Sequence, residues 1–435
     1  MILVDLQIAT RNLLQHTRRN LFLGGALAAT TGLLILLSGL SGGMKEGLLQ
    51  SATVLASGHV NVGGFYKVTS STAAPLVTDY EKVLAETKKH VPELQDYTVR
   101  VRGYAKAVSE RSSTDLVLAG VEVAREKKMR DVLQLTAGKL EDLGKPGTLL
   151  LFEEQAKRLE VGVGDVITLS APTTRGQSNT ADVRVVAVAR SIGLMSSFSA
   201  FMHDGTLRKL YNLREGNTGV IQLYLRDHRQ APLVAARLRD ALAAAGWRVM
   251  DSNPQPYWMK LFQTIPSEDW TGQKLDMTTW EDEMSFLSWI FTAVSVLTGI
   301  LTIVLMVIVI IGILNTLAIA IRERTREIGT LRAIGMQRSK VRWLLLLEAG
   351  LLGVAATGAG ALLAGLLARL LNGAHIEIPP AMQMFLMQQN LRLVIEPGRA
   401  VAYAALLALV TTVASLLPAT LAARLKPVTA MHHIG

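Results

Sequence analysis

The chain has 435 residues, half of them hydrophobic and 18% charged, a formal net charge of +10 and no cysteine. Such a composition lies between a soluble protein and a pure membrane bundle, so a hybrid of the two is expected. The missing cysteines exclude disulfides, thiolate metal sites and cysteine nucleophiles, and basic residues beside hydrophobic runs explain part of the positive charge without nucleic acid.

Residues 1–20 carry apolar Leu6, Ala9, Leu13 and Leu14 at helical spacing, with Arg11, Arg18 and Arg19 elsewhere around the helix. This is the pattern of an amphipathic helix lying on a membrane surface. Uncharged stretches then recur at 20–44, 284–321, 349–368 and 400–423. Each is long enough for a bilayer, which needs about 20 residues. The second would make about 57 Å of helix at 1.5 Å per residue, which exceeds the ~30 Å hydrocarbon core and predicts a projecting stalk. A cleaved signal peptide does not fit the first stretch, whose apolar part is too long and has no small-residue cleavage site after it. Transmembrane segments are therefore expected at 21–44, 284–321, 343–369 and 399–424. Basic residues cluster before the first, across the 322–342 loop, and in the 425–435 tail with Arg424 beside it. The positive-inside rule then puts both termini and 322–342 in the cytoplasm, and 45–283 and the 370–398 loop outside. Gly39 with Gly43, and Ala356, Gly360 and Ala364, are small residues spaced for close helix packing in lipid.

The outer region, 45–283, reads as a folded domain. Helices are expected at 77–90, 123–133, 153–159, 204–211 and 230–245, and strands at 97–108, 115–121, 148–152, 166–170, 182–189, 220–226 and 247–250. Strand–helix–strand patterns at both ends predict an α/β subdomain from 45–135 and 216–283, with a β-rich insert at 136–215. No G-x-x-x-x-G-K-[ST] loop and no dinucleotide fingerprint appears. Gly162 and Gly164 precede a strand and read as a turn. His59, His203 and His228 are scattered, and His432 and His433 lie in the polar tail. Met382, Met384 and Met387 have no histidine nearby and suit an apolar contact better than a soft metal. A non-catalytic chain without its own cofactor or metal is expected.

The most informative stretch is Asn315 to Gly335, which leaves one hydrophobic run and stops short of the next. Arg322, Arg324, Arg326 and Arg332, followed by Arg338, Lys340 and Arg342, face only Glu323 and Glu327. By composition alone, a lipid-bound surface helix and a docking surface for a soluble partner are equally good accounts. The ordered block Arg322-Glu-Arg-Thr-Arg-Glu-Ile-Gly-Thr-Leu-Arg-Ala-Ile-Gly335, however, closely resembles the signature of FtsX-type ABC transporter permeases, the MacB superfamily. The opening Ala9-Thr-Arg-Asn-Leu13, the phrase Ser57-Gly-His-Val-Asn-Val62, the stretch Leu150 to Asp165 and the ending Leu417 to Met431 are similar to that family too.

The resemblance implies four transmembrane helices with a large periplasmic α/β domain of the MacB-like core type in a bacterial inner membrane. It implies a separate ABC ATPase in two copies that binds ATP and Mg, a second permease chain of the same or a sister type, and a periplasmic carrier or adaptor. Segment 322–335 resembles the coupling helix that docks on the ATPase. Ile328, Leu331 and Ile334 would share one face, with Arg324, Arg326, Glu327 and Arg332 as polar contacts. Gly329 would allow close approach, and Gly335 would end the helix in a left-handed conformation. In length the chain is most similar to the lipoprotein-releasing LolC/LolE branch, which implies mechanotransmission and release of lipoproteins. Efflux of small molecules or peptides with an adaptor, and a signal relay to a periplasmic cell-wall enzyme, stay open as alternatives. For an acylated cargo, the apolar cleft would be formed by Leu33, Leu36, Leu37 and Leu40 of the first span and Phe286, Trp289, Ile290, Phe291 and Val294 of the second.

Overall fold

The computed structural model describes residues 2–15, 17–69, 72–173, 177–191, 194–323, 325–379, 383 and 390–424. They fall into two units, one drawn from Met1–Lys45, Phe291–Glu377 and Asn390–Gly435, the other from Glu46–Ile290 and Ile378–Gln389. The methionines of the 370–398 loop and the tail histidines lie outside the described residues.

In lipid a helix satisfies every peptide group internally, so long uncharged runs form helices. Among the described residues, four helical stretches are long and apolar enough to cross a membrane: Asn20–Thr53, Ser285–Glu323, Arg338–Gly373 and Pro397–Ala423. In the first unit they pack through small residues. A Cβ on Gly360 would collide with the Ala28 carbonyl, so the first and third long helices touch backbone to backbone. Gly353 faces Ala408 and Thr411 of the fourth helix in the same manner. Gly39 and Gly42 admit the chain at Val394 and Ile395, and the Gly39 carbonyl accepts the Val394 N–H at 2.9 Å. The preceding helix, Ile2–Gln15, is held to the start of the third long helix by Asp5, 3.5 Å from the Lys340 ammonium.

The second unit is built on a mixed sheet of eleven strands: β1 Val60–Thr69, β2 Thr72–Ala74, β3 Leu94–Val108, β4 Ser113–Val121, β5 Leu135–Gly138, β6 Thr148–Phe152, β7 Val166–Pro172, β8 Ser178–Ala189, β9 Ser199–His203, β10 Val220–Leu225 and β11 Gly272–Thr279. Their order is β11-β1-β10-β3-β4-β9-β6-β8-β5, with β2 beside β1 and β7 joining β3 to β8. β4 with β9 and β6 with β8 run parallel; the other pairs are antiparallel. Helices Tyr80–His90 and Ala231–Ala244 cover one end, where Val83, Val234, Leu238 and Leu242 meet Val60, Val62, Ile221 and Leu223. A second apolar core gathers Leu116, Leu118, Leu149, Leu151, Ile167, Leu169, Val183 and Val185 under helix Asp204–Leu210.

The change from one core to the other falls inside β3, which pairs with β10 through Arg100 and with β4 from Val101. Residues 101–121 therefore pack with the β-rich part, whereas the sequence pattern had assigned them to the α/β part. One strand long enough to serve both cores leaves no composition break at 136. The strand expected at 247–250 is reduced to a single bridge between Val249 and Leu275.

Candidate functional site

The basic segment forms helix Thr325–Ala333 between the second and third long helices. Its end is closed by a Schellman arrangement: the Met336 N–H reaches the Leu331 carbonyl at 3.0 Å, and the Gly335 N–H reaches that of Arg332 at 3.2 Å. Gly335 takes φ 101°, a conformation that only glycine adopts without cost. The apolar residues do not share one environment. Ile328 is 6% exposed and packs with Val341, Ala422 and Ala423, and Gly329 beside it is buried. Leu331 is 38% exposed and Ile334, past the last helical residue, is 79% exposed. Helix periodicity groups these residues; the neighbouring third and fourth helices decide which of them is covered. Glu327 is exposed, and Arg332 is half-buried with Nη1 donating to the Met336 carbonyl at 3.3 Å. Arg324 and the side chain of Arg326 lie outside the described residues. The segment thus offers Leu331 and Ile334 as an apolar knob among charges, anchored from behind by Ile328.

Of the cleft candidates on the first long helix, Leu33 is exposed and Leu36, Leu37 and Leu40 are half-buried. Trp289 is exposed, Phe291 and Val294 are half-buried, and Ile290 is buried. Phe286 is placed differently. It precedes helix Ser288–Glu323 and packs inside the sheet-bearing unit, 5.9 Å from Trp258 and 6.4 Å from Phe198 between ring centroids.

A third feature escaped the sequence. The last carbonyls of an α-helix have no partner within it, and helix Thr17–Leu55 ends with its own tied into the sheet. The Tyr224 hydroxyl donates to the Thr53 carbonyl at 3.0 Å, Arg100 Nη1 to that of Leu55 at 3.4 Å and Gln222 Nε2 to that of Ala56 at 3.0 Å. A cation also suits the negative end of the helix dipole. Arg100 is itself clamped by Glu126 through two bonds of 2.7 Å, both residues being buried. Burial disfavours the Arg100 charge, but the Glu126 carboxylate more than offsets it and the pKa is raised. For the Tyr224 hydroxyl burial acts in the other direction and raises the pKa.

β1 starts just beyond this helix end and lies antiparallel to β11, with Val60 opposite Thr279. After β11 a capping box turns the chain: Thr279 Oγ1 accepts from the Asp282 N–H at 3.2 Å, and Asp282 Oδ2 accepts from the Thr279 N–H at 2.8 Å. The Trp280 N–H also donates to the His59 carbonyl at 3.2 Å. The strand after the first long helix and the strand before the second are thus direct neighbours. Glu283, at this corner, accepts from Thr278 Oγ1 at 2.8 Å and from the Tyr257 N–H at 3.2 Å, and burial raises its pKa against the opposing pull of Arg102.

Among the described residues no group of three or more His, Asp or Glu could hold a metal ion. Residues 285–427 match the model of the FtsX-like permease C-terminal family, and residues 25–241 match that of the MacB-like periplasmic core domain. No curated protein matches the chain. Among solved structures it is similar to the extracellular domain of the ABC-type transporter YknZ from Gram-positive bacteria, at 13% identity and TM-score 0.29, covering 43% of this chain and 95% of that one. The periplasmic region of MacB from Actinobacillus actinomycetemcomitans is similar at 12% identity and TM-score 0.28, covering 46% of this chain and 88% of that one. A domain of a protein described as a permease from Porphyromonas gingivalis is similar at 14% identity and TM-score 0.27, covering 50% of this chain and 86% of that one. With the second, third and fourth long helices matched by one family model, and the first from residue 25 together with the sheet through β10 by the other, the chain belongs to the FtsX/MacB type of ABC-transporter permease.

Proposed function

We propose that this chain is the membrane subunit of a mechanotransmissive ABC transporter that releases lipoproteins from the inner membrane, using ATP hydrolysed by a separate subunit. Both termini and segment 322–342 would face the cytoplasm, and 45–283 the periplasm. The observation that carries the proposal is the side-chain fastening found within each unit where a long helix ends. At one end Ile328 locks the docking segment to Val341 and to Ala422 and Ala423. At the other, Tyr224, Arg100 and Gln222 hold the end of the first helix, and the paired strands β1 and β11 continue the first helix and lead into the second.

Closure of two ATPases around ATP would push on Leu331 and Ile334. Buried side chains resist shear because interiors are close-packed, so the push travels as a helix displacement rather than dissipating locally. The junction would pass it to β1 and β11 and so to the whole sheet. A pair of ATPases calls for a pair of permease chains. The second long helix suits such a pairing, since most of its apolar side chains are left uncovered. Ile300, Ile303, Val307 and Ile311 stay exposed and are available to lipid, cargo acyl chains or a second chain. Burial of each CH₂ of an acyl chain is worth about 0.8 kcal/mol relative to water in the bilayer and in an apolar cleft alike, so a cleft of Leu and Phe side chains shields an extracted chain from water without having to outbid the lipid.

Photo-crosslinkers at Leu40 and Phe291 test the cargo. They should trap an acylated protein in living cells and release it on ATP turnover. Capture of bulk lipid alone, with periplasmic positions trapping a soluble adaptor or a cell-wall hydrolase, would replace lipoprotein release with efflux or signalling.

A further inference from the structure

β3 has a gap in its pairing. On one edge it meets β10 up to Arg100 and β7 from Lys106 onward, and among the described residues no strand lies beside 101–105 there. Tyr211 supplies one place of the missing strand: its hydroxyl accepts from the Tyr104 N–H and donates to the Tyr104 carbonyl, both at 2.6 Å. Gly103 makes this possible, because a Cβ there would collide with the Tyr211 ring.

The gap opens into a cavity of about 520 Å³ whose walls include Tyr104, Leu213, Tyr257, Trp258, Leu261 and Phe262. That volume is typical of sites for small organic ligands. Among its described lining residues, Arg102 alone carries a charge. Arg102 is 8% exposed and occupies space left by Gly63 and Gly219, where any side chain would strike it. Its guanidinium stacks on Tyr257 at 3.7 Å, yet Nε has no partner and the nearest carboxylate, Glu283, is 4.0 Å away. The other buried cations here are satisfied: Arg100 has Glu126 at 2.7 Å, and Lys260 has Asp276 at 2.8 Å. A buried guanidinium short of acceptors is costly, and a negative charge brought beside it by a ligand would offset part of that cost even where Nε itself stays covered.

We propose that this cavity binds an amphipathic carboxylate of fatty-acid type, with its apolar body among the aromatic walls and its anionic head on Arg102. The site lies wholly within the sheet-bearing unit and does not depend on the nature of the transported cargo.

Full-length chain in phosphatidylcholine nanodiscs, irradiated with diazirine-bearing dodecanoic acid, provides the test. Adducts should map to 101–104 and 257–266. Dodecanoate should compete at least about tenfold better than dodecanol, the discrimination expected of a charged hydrogen bond. Arg102→Leu should lower labelling by a similar factor. Leu261→Trp, which fills the cavity and leaves Arg102 intact, should abolish it. If Arg102→Leu does not fold, the dodecanol comparison and Leu261→Trp decide alone. Equal competition by dodecanol, labelling that survives Leu261→Trp, adducts confined to the long helices, or labelling by a diazirine phospholipid but not by the free acid would each overturn the assignment.

Discussion

Ile328 and Ile334 belong to one short segment yet end in opposite surroundings: the first is 6% exposed against Val341, Ala422 and Ala423, the second 79% exposed beyond the helix end. The inner residue holds the segment to its own chain, and the outer one is free for another.

Their substitutions should therefore separate. Ile334→Asp should leave the thermal stability of the purified chain unchanged and weaken its association with the ATPase by roughly tenfold to a hundredfold, as loss of about 1.5–3 kcal/mol of apolar burial implies. Ile328→Asp should lower stability first, because it buries a charge. Co-purification and thermal unfolding of both variants check this, and equal behaviour of the two would show that exposure does not govern docking.

Gly335 tests the shape of the same segment. At φ 101° a side chain is strained by about 1–2 kcal/mol, more for a β-branched one. Gly335→Val should misplace Ile334 and reduce stimulated ATP hydrolysis in the assembled complex, while Gly335→Asn should retain more of it. Indistinguishable rates for Val and Asn would remove the left-handed turn from the mechanism.

Gly358 and Gly360 make a controlled pair on the third long helix. A side chain at 360 meets the Ala28 backbone, whereas nothing lies within 4 Å of a Cβ at 358. Gly360→Leu should cost about 1–3 kcal/mol through overpacking and lower the melting temperature in detergent. Gly358→Leu should leave it nearly unchanged. A drop of equal size in both would mean that the first and third helices are not in backbone contact.

The clamp on the first helix end makes a sharper energetic demand. Removing one partner of a buried ion pair costs about 3–5 kcal/mol because the other charge is stranded. Glu126→Ala should thus destabilise the sheet-bearing unit strongly in chemical denaturation. Tyr224→Phe, which deletes one bond to the Thr53 carbonyl, should cost only about 0.5–1.5 kcal/mol. A mild Glu126→Ala phenotype would mean that the Arg100 clamp is not rigid.

Much of this was legible in advance where one physical signal dominates. The long helices follow from uncharged length, and the short helix Thr325–Ala333 from the charged break between two hydrophobic runs. β1 and β11 were not foreseen. β11 reads Gly-Gln-Lys-Leu-Asp-Met-Thr-Thr, with Asp276 and Thr278 buried because Lys260, Asn61 and Glu283 satisfy them. No pattern of alternating hydrophobicity can show that. The helix-end clamp was equally hidden, since its donors Arg100, Gln222 and Tyr224 are remote in sequence from the carbonyls they cap. Phe286 stands at the start of the second long apolar stretch, as composition indicates, but its ring contacts with Phe198 and Trp258 could not be read from the sequence.

Because the chain contains no cysteine, a single introduced cysteine is a unique probe of docking. Cysteine at Ile334 or Leu331, treated with a short bifunctional crosslinker in native membranes, should join the chain to its ATPase, with a yield that changes when ATP is trapped by vanadate. Cysteine at Ile328 should give no such product. If Ile334 and Leu331 instead yield no ATPase adduct, or the adduct is indifferent to nucleotide, then the segment is a lipid-facing surface and force does not enter the chain there.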